Sequence, residues 1–325
     1  MSVAKAVQSP QLINIDAAYE GQRIDNFLLT RLKGVPKSHI YKVLRKGEVR
    51  VNKGRIKPEY RLQPGDVVRI PPIQVSEAPP KPSAGGRIVE IIAKSVIYED
   101  KGLIIINKPS GIAVHGGSGV SYGVIEALRV ARPDAPHLEL VHRLDRDTSG
   151  CLMIAKKRSV LRSLHELLRG ERGIDKRYLA LVKGKWRGGK KVVDAALARN
   201  QIRSGERVVR VTEEGKSSAS VFVPHTVFAE ASLMEVRPLT GRTHQIRVHA
   251  AYLDRPIAGD EKYGDAEFNR RMAGLGLKRL FLHAWRLEFE LPETGQKISV
   301  TAPLSDDLQQ VIARLSGALA KPHHD

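Results

Sequence analysis

The sequence predicts an α+β fold: a small N-terminal α/β module, then a larger domain built on a mixed, largely antiparallel sheet flanked by helices. The chain has 325 residues, enough for one large domain and one small one. A segment rich in proline and glycine separates residues 12–71 from residues 88–318. Within 88–318, strand patterns follow one another or alternate irregularly with helices, which does not fit a doubly wound parallel sheet.

The small module, residues 12–71, is predicted to contain two helices and a short sheet. Apolar residues recur at helical spacing between residues 24 and 32. A second helix is expected from Ser38, a residue suited to an N-cap, to Lys46, with Gly47 as its stop. Residues 52–54 (Asn-Lys-Gly) offer a hairpin turn, and residues 67–70 form a strand.

Basic residues are concentrated in this module. Residues 31–61 hold eleven Lys or Arg and two acids, a net +9 out of the +19 of the whole chain. A merely soluble surface mixes the two signs more evenly, so the cluster indicates contact with nucleic-acid phosphates. The residues that we expect to make this contact are Lys37, Lys42, Arg45, Lys46, Arg50, Lys53 and Arg55.

Residues 72–87 are predicted to be a linker, because the run 71–86 contains five prolines and two glycines. The elements of the larger domain follow from periodicity. Strands are expected over residues 96–98, 103–106, 178–182, 219–223 and 231–236, and helices over 160–169 and 243–253.

Composition excludes several classes of protein. A charge of +19 and a pI of about 10.1 point to a polyanionic partner, and no apolar run of 18 residues supports a membrane span. The N-terminus lacks the apolar segment of a signal peptide, so we expect a cytoplasmic protein. The single cysteine, Cys151, allows neither an internal disulfide nor a cysteine metal site. His244 and His249 lack the spacing of metal ligands on one helical face, so we expect no metal. The glycine-rich run 116–119 lacks the features of a nucleotide loop, so we expect no nucleotide cofactor.

The most informative stretch is His142–Gly150, in which Asp145 lies between Arg143 and Arg146. Neighbouring guanidinium groups favour the ionised form of a carboxylate, and an ionised Asp can act as a nucleophile. The ordinary alternative is an exposed, salt-bridged loop. Residues 148–150 (Thr-Ser-Gly) are predicted to form a sharp turn.

Two further clusters carry candidate residues. In residues 239–249, Thr240-Gly241 is expected to begin a helix whose first two turns carry Arg242, His244 and Arg247. An ordinary basic helix explains this cluster equally well. Tyr178 follows Lys176 and Arg177 where a strand begins, a position more typical of packing than of catalysis.

Together these motifs resemble the pseudouridine synthases of the large-subunit type. The signature H-R-L-D-x-x-T-S-G is met at residues 142–150 in all seven fixed positions of the family pattern. The other family motifs are met at residues 107–111, 176–178, 240–247 and 281–284, and the small module resembles an S4 RNA-binding domain.

The resemblance implies an isomerisation of uridine in RNA, in which the N1–C1′ bond breaks, the uracil rotates and C5 bonds to C1′. Asp145 would be the essential carboxylate, through attack at C1′, attack at C6 or a glycal route. Arg247 would pair with Asp145, and Tyr178 would stack on the uracil and serve in proton transfer. Arg143 would fill the gap left by the flipped base.

The resemblance also suggests 23S ribosomal RNA as the partner and a monomeric enzyme without a cofactor. We expect His142, Arg146, Thr148, Arg242 and His244 to contribute to RNA binding. Two other classes compete: a base-releasing N-glycosidase, which would produce free uracil, and a non-catalytic ribosomal RNA-binding assembly factor. The intact set of Asp145, Tyr178 and Arg247 weighs against the assembly factor.

Overall fold

The structure is a computed structural model that describes residues 10–32, 35–73, 85–116, 122–135, 137–170, 173–201, 207–292 and 294–317. The chain divides into two compact units, residues 1–84 and 85–325. Of the predicted linker, residues 74–84 lie outside the described residues, as do residues 117–119 of the glycine-rich run. Residues 85–87 belong to a helix rather than to a linker, because Ile88, Val89 and Ile92 pack against the core of the larger unit.

The small unit has two helices against a four-stranded antiparallel sheet. Its elements are β1 (Gln11–Asn14), a 3-10 turn (Ala17–Tyr19), α1 (Ile24–Arg31), α2 (Lys37–Arg45), β2 (Arg50–Val51), β3 (Gly54–Arg55) and β4 (Val67–Ile70), and the sheet order is β1-β4-β2-β3. The predicted helices and hairpin are confirmed, and Asn52 and Lys53 take the positive φ values, 49° and 66°, of a two-residue hairpin turn. Pro36, not Ser38, occupies the N-cap of α2.

The larger unit is built on a ten-stranded sheet and a separate two-stranded hairpin. The strands are β5 (Val96–Glu99), β6 (Leu103–Lys108), β7 (Glu139–Leu140), β8 (Ser149–Ala155), β9 (Asp175–Lys183), β10 (Lys191–Asp194), β11 (Leu197–Gln201), β12 (Arg207–Val211), β13 (Ala219–Val227), β14 (Ala231–Pro238), β15 (Leu282–Glu290) and β16 (Lys297–Thr301). The sheet order is β10-β13-β14-β9-β15-β8-β6-β5, with β16 paired with β15 and β7 with β8, while β11 and β12 form the hairpin. All pairs in the sheet are antiparallel except β8 with β15, which confirms the predicted mixed, largely antiparallel sheet.

Helices cover both faces of this sheet. They are α3 (Gly85–Lys94), α4 (Val124–Ala131), α5 (Arg158–Arg169), α6 (Gln245–Tyr252), α7 (Ala266–Ala273) and α8 (Asp306–Leu315). Alternate residues of β9 point to opposite faces. Leu181 therefore belongs to the core with α7 and α8, whereas Ala180 belongs to the core with Ile246 and Ala250 of α6.

The predicted start of α6 was wrong. The helix begins at Gln245, so both Arg242 and His244 precede it. His244 has a left-handed conformation with φ of 55°. The buried side chain of Gln245 explains the difference. Its Oε1 accepts from the Arg242 backbone N–H (3.0 Å) and the Thr240 hydroxyl (2.6 Å), and its Nε2 donates to the carbonyl oxygen of Ala219 (2.8 Å).

The predicted turn at residues 148–150 was also wrong. The turn lies at residues 146–147, and Ser149 and Gly150 already belong to β8. The Ser149 hydroxyl is 2.9 Å from Nδ1 of His283, on the parallel neighbour β15. Gly150 has φ of +104°, and a Cβ there would lie 2.2 Å from the carbonyl oxygen of Ala284. Strand packing, rather than turn geometry, requires the serine and the glycine.

Candidate active site

A cavity of about 430 Å³ opens in the larger unit. Its lining comes from the segment between β7 and β8, from β9 and α5, from the region between β14 and α6, and from the start of β15. Of the described residues that line it, Asp145 alone carries a carboxylate, whereas Arg143, Lys176, Arg242 and Arg247 carry positive charge. The cavity therefore favours an anionic ligand and holds one acidic group.

The loop that carries Asp145 is fixed by a completely buried lysine. The Nζ of Lys108 donates to the carbonyl oxygens of Pro109 (2.8 Å), Ile112 (2.8 Å) and Arg146 (2.9 Å). Burial lowers the pKa of Lys108 to about 7. Because the three bonds use all three protons of the ammonium form, the site is built for the charged lysine. Lys108 holds the turn that follows Asp145 and does not itself line the cavity.

Arg247 joins Asp145 to a second carboxylate. Its Nη1 donates to Oδ2 of Asp145 at 3.2 Å, across 102 residues of sequence. Its Nε and Nη2 donate to the two oxygens of Asp260, at 2.8 and 2.9 Å. Asp260 is 1% exposed, and burial opposes its ionisation. The hydrogen bonds and charge of Arg247, together with the backbone N–H groups of Tyr263 and Lys262, outweigh burial and hold the pKa of Asp260 below its usual range. Asp260 therefore orients the guanidinium that meets Asp145.

His244 is the second side chain, after Arg247, that approaches the carboxylate of Asp145. Its Nε2 lies 3.7 Å from Oδ2 of Asp145, and its Nδ1 lies 2.8 Å from the hydroxyl of Tyr263. The Tyr263 oxygen accepts from the backbone N–H of Val209 at 3.0 Å, so its own proton is available to Nδ1. Burial lowers the pKa of His244 despite the nearby Asp145 carboxylate. A neutral ring that accepts the Tyr263 proton at Nδ1 would carry its own N–H on Nε2, directed at Asp145.

Tyr178 lies on β9 and lines the same cavity. Burial and then the charge of Asp145 raise the pKa of its phenol well above the usual range, so the hydroxyl stays protonated at neutral pH. Within the described ranges the hydroxyl has no hydrogen-bond partner in the protein. The ring and a free hydroxyl are therefore both available to a bound molecule.

The predicted RNA-contacting residues of the larger unit fall into two groups. Arg143, Arg146 and Arg242 are exposed. Arg146 forms a surface pair with Asp147 (3.1 Å), and Nε of Arg242 donates to the carbonyl oxygen of Ser217 (3.0 Å). The Arg143 side chain has no ion-pair or hydrogen-bond partner in the described part of the chain, so its guanidinium is free to contact a ligand.

His142 and Thr148 are placed differently. The Nε2 of His142 accepts a hydrogen bond from the backbone N–H of Met153 (3.2 Å), and burial lowers the pKa of His142 to about 4. The ring of His142 is therefore neutral, and its hydrogen bond attaches the segment before β8 to that strand. Thr148 is 2% exposed, and its backbone N–H donates to the carbonyl oxygen of Asp145 (3.2 Å). Both residues line the cavity, but their hydrogen bonds favour a role in shaping it over a role in binding phosphates.

The cations predicted in the small unit are all exposed: Lys37, Lys42, Arg45, Lys46, Arg50, Lys53 and Arg55. Lys46 has one acidic neighbour, Glu48, at 3.7 Å. Nε of Arg50 donates to the carbonyl oxygen of Gly47 at 3.3 Å. We call these seven residues the basic surface of the small unit.

Sequence reasoning did not single out Lys108, Asp260 or Tyr263. Asp260 follows Gly259 in an irregular segment, so no periodic pattern marks it. The arginine expected beside Asp145 implied that a further acidic residue balances its charge. The sequence offered no other signal for Asp260. Among the described residues there is no group of three or more His, Cys, Asp or Glu arranged to hold a metal ion. None of the helices in the described ranges has the length and apolar character needed to cross a bilayer.

Comparisons with known proteins agree with these motifs. The family description "RNA pseudouridylate synthase" matches residues 102–252, and "S4 domain" matches residues 22–68. The chain is 56% identical over 313 residues to "Ribosomal large subunit pseudouridine synthase C" of Escherichia coli strain K12, covering 95% of this chain and 98% of the relative. The chain belongs to the RNA pseudouridine synthase family. It is therefore an isomerase, and the resemblance seen in the sequence is confirmed.

Other relatives of this synthase agree. The protein of the same name from Pasteurella multocida is 56% identical over 309 residues, with 95% of this chain and 94% of the relative covered. The solved structure of human RNA pseudouridylate synthase domain containing 4 has a TM-score of 0.60 at 25% identity, covering 72% of this chain and 97% of that chain. The human domain containing 1 has a TM-score of 0.54, also at 25% identity, covering 70% and 96%.

Proposed function

We propose that this synthase converts uridines of the 23S ribosomal RNA of the large subunit into pseudouridine, with Asp145 as the essential carboxylate. The observation that carries the proposal is the single acidic group of the cavity, held by Arg247 and faced by His244. The names of the relatives, which are ribosomal large subunit pseudouridine synthases, supply the RNA class. The reaction replaces the N1–C1′ and C5–H bonds by C5–C1′ and N1–H bonds, so the nucleotide is neither oxidised nor reduced.

Asp145 acts at the nucleotide in its ionised form. The guanidinium of Arg247 donates to Oδ2 of Asp145 and fixes its direction, while the Lys108 ammonium holds the carbonyl oxygen of Arg146. This arrangement serves attack at C1′, attack at C6 and removal of a ribose proton on a glycal route alike. In each case a preorganised carboxylate lowers the barrier because it needs no reorientation during the reaction.

Tyr178 and Arg143 act on the base and on the gap it leaves. A uridine within a structured RNA must leave its stack to enter the cavity, which costs a few kcal/mol. The Tyr178 ring offers a stacking surface, and its hydroxyl relays the C5 proton by giving its own proton to solvent as it accepts the proton from C5. The unpartnered Arg143 side chain occupies the space in the RNA from which the base departs. The basic surface of the small unit and the exposed Arg146 and Arg242 contact phosphates.

The test is nucleotide mapping of ribosomal RNA from cells that lack the gene. Carbodiimide treatment and primer extension should show missing pseudouridines in 23S RNA, and the purified protein should restore them in vitro without releasing uracil. Free uracil in amounts matching the lost uridine would instead identify an N-glycosidase. Pseudouridines that stay complete in 23S RNA but are lost from another RNA would contradict the proposed substrate.

A further inference from the structure

Lys176 lines the cavity beside Tyr178. The two residues are two positions apart on β9, so their side chains point to the same face of the sheet, and both belong to the cavity lining. Burial and then the charge of Lys176 lower the pKa of His142, a neutral residue of the signature that lines the same cavity. Lys176 therefore adds a positive charge to the wall that also presents the Tyr178 ring.

Other partly or fully buried lysines of the larger unit have partners. Lys108 is bonded to three carbonyl oxygens, Lys156 to Glu99 at 2.8 Å and Lys183 to Asp265 at 2.7 Å. Lys176 has no ion pair or hydrogen bond within the described ranges. Burial lowers its pKa, and no described carboxylate opposes that effect. An ammonium that loses water without gaining a partner is costly, which is typical of a site completed by its ligand.

Negative charge must therefore reach Lys176 with the RNA. Arg143 and Arg242 are exposed and line the same cavity, so they can bind the phosphates of the RNA. The partly dehydrated position of Lys176 beside the Tyr178 ring suits a charge that develops on the base. When N1–C1′ breaks, its electron pair stays on N1 and spreads onto O2 and O4 of the uracil. Addition of a nucleophile at C6 likewise places negative charge on the O4 enolate.

We propose that Lys176 is a further catalytic residue, whose ammonium donates a hydrogen bond to a carbonyl oxygen of the uracil and stabilises this transient negative charge. The inference rests on the proposed function. Lys176 neither loses nor gains a proton. The electron pair held on the uracil forms C5–C1′, the C5 proton then leaves, and N1 takes up a proton. The interaction strengthens only as charge develops, so it acts on the rate more than on RNA binding.

The experiment compares Lys176→Met, Lys176→Gln and Lys176→Arg in the full chain, with exposed Lys101→Met as the matched control. Single-turnover rates are measured against RNA concentration, and RNA affinity is measured against salt. We expect the rate at saturating RNA to fall on the order of 10²-fold for Met and Gln and to recover in part for Arg. The dissociation constant should change less than about 3-fold, with the salt slope unchanged. Thermal melting should show that the Met variant is at least as stable as the wild type, because an unpaired charge has gone.

Two results would overturn the role of Lys176 while leaving the proposed function intact. One is a wild-type plateau rate in Lys176→Met and Lys176→Gln. The other is weaker binding with a salt slope reduced by about 0.7–0.9, as expected when the protein neutralises one phosphate fewer. If the wild type forms no pseudouridine in the same assay, the proposed function fails, and the role of Lys176 fails with it.

Discussion

The small unit and the cavity of the larger unit both concentrate positive charge, but they hold it differently. The seven residues of the basic surface are exposed, with few acidic neighbours. In the cavity, the Arg247 side chain is 10% exposed and is bonded to Asp145 and Asp260. Exposed charges attract phosphates at long range and are screened by salt, whereas buried, bonded charges keep their direction. The difference suggests a division between RNA affinity in the small unit and chemistry in the cavity.

The largest expected effect comes from Asp145→Asn. We expect the rate of pseudouridine formation to fall on the order of 10⁴-fold or more, because the amide keeps the shape but neither attacks nor accepts a proton. RNA affinity should be retained. Asp147→Asn is the matched control, since Asp147 lies in the turn that follows Asp145 and its side chain pairs with exposed Arg146 at 3.1 Å. Turnover near wild type for Asp145→Asn would contradict the mechanism.

Acid should destabilise the larger unit through two histidines. Burial lowers the pKa of His142 and of His283 to about 4, below the ordinary value of about 6.5. The unfolded chain therefore binds protons first, and the free energy of unfolding falls as pH drops from about 6.5 towards 4. The loss is up to roughly 3 kcal/mol for each histidine. Urea unfolding at pH 7.5, 6.5 and 5.5 checks this, and a constant free energy of unfolding would contradict it.

Asp260→Asn should have an intermediate effect. The variant removes the charge that holds Arg247, so Arg247 should meet Asp145 in a less defined orientation, and we expect the plateau rate to fall on the order of 10²-fold. RNA affinity should change little. Asp265→Asn is the control, because Asn retains the N-cap that Asp265 makes to the backbone N–H of Phe268. Equal plateau rates for the two variants would contradict the role of Asp260 in orienting Arg247.

The smallest effect is expected in the basic surface of the small unit. Replacing Lys42, Arg45 and Lys46 by Gln should weaken RNA binding about 10-fold and reduce the salt slope by about 0.7–0.9 for each phosphate that is no longer neutralised. The control replaces exposed Lys101, Lys278 and Lys297 of the larger unit. Filter binding at several salt concentrations measures both quantities, and an unchanged slope in the first variant would count against the proposed role of this surface.

Local signals in the sequence were enough for many elements. Gly47, with φ of +69°, ends α2, and the apolar run at residues 103–106 became the buried strand β6. The α+β architecture followed from the irregular order of strands and helices. The same local signals misled where a distant partner decides the conformation. Residues 148–150 have a turn composition, but the contacts of Ser149 and Gly150 with β15 extend the strand.

The site was only partly accessible to sequence reasoning for the same reason. The motifs and the family resemblance indicated Asp145, Tyr178 and Arg247, and the structure brings all three to one cavity. Asp260 and Lys108 act through tertiary contacts alone: one orients Arg247, and the other holds the carbonyl oxygen of Arg146. Lys108 lies in the family motif at residues 107–111, but neither that motif nor any periodic pattern in the sequence specifies these tertiary contacts.

The division between affinity and chemistry is tested most directly by single-turnover rates over a range of RNA concentrations. The wild type, Asp145→Asn and the triple variant of Lys42, Arg45 and Lys46 are compared. We predict that Asp145→Asn lowers the plateau rate without changing RNA affinity, and that the triple variant raises the half-saturating RNA concentration while its plateau stays within about 3-fold of wild type. A triple variant whose plateau falls by more than about 10-fold, or an Asp145→Asn variant that keeps the wild-type plateau, would contradict the account.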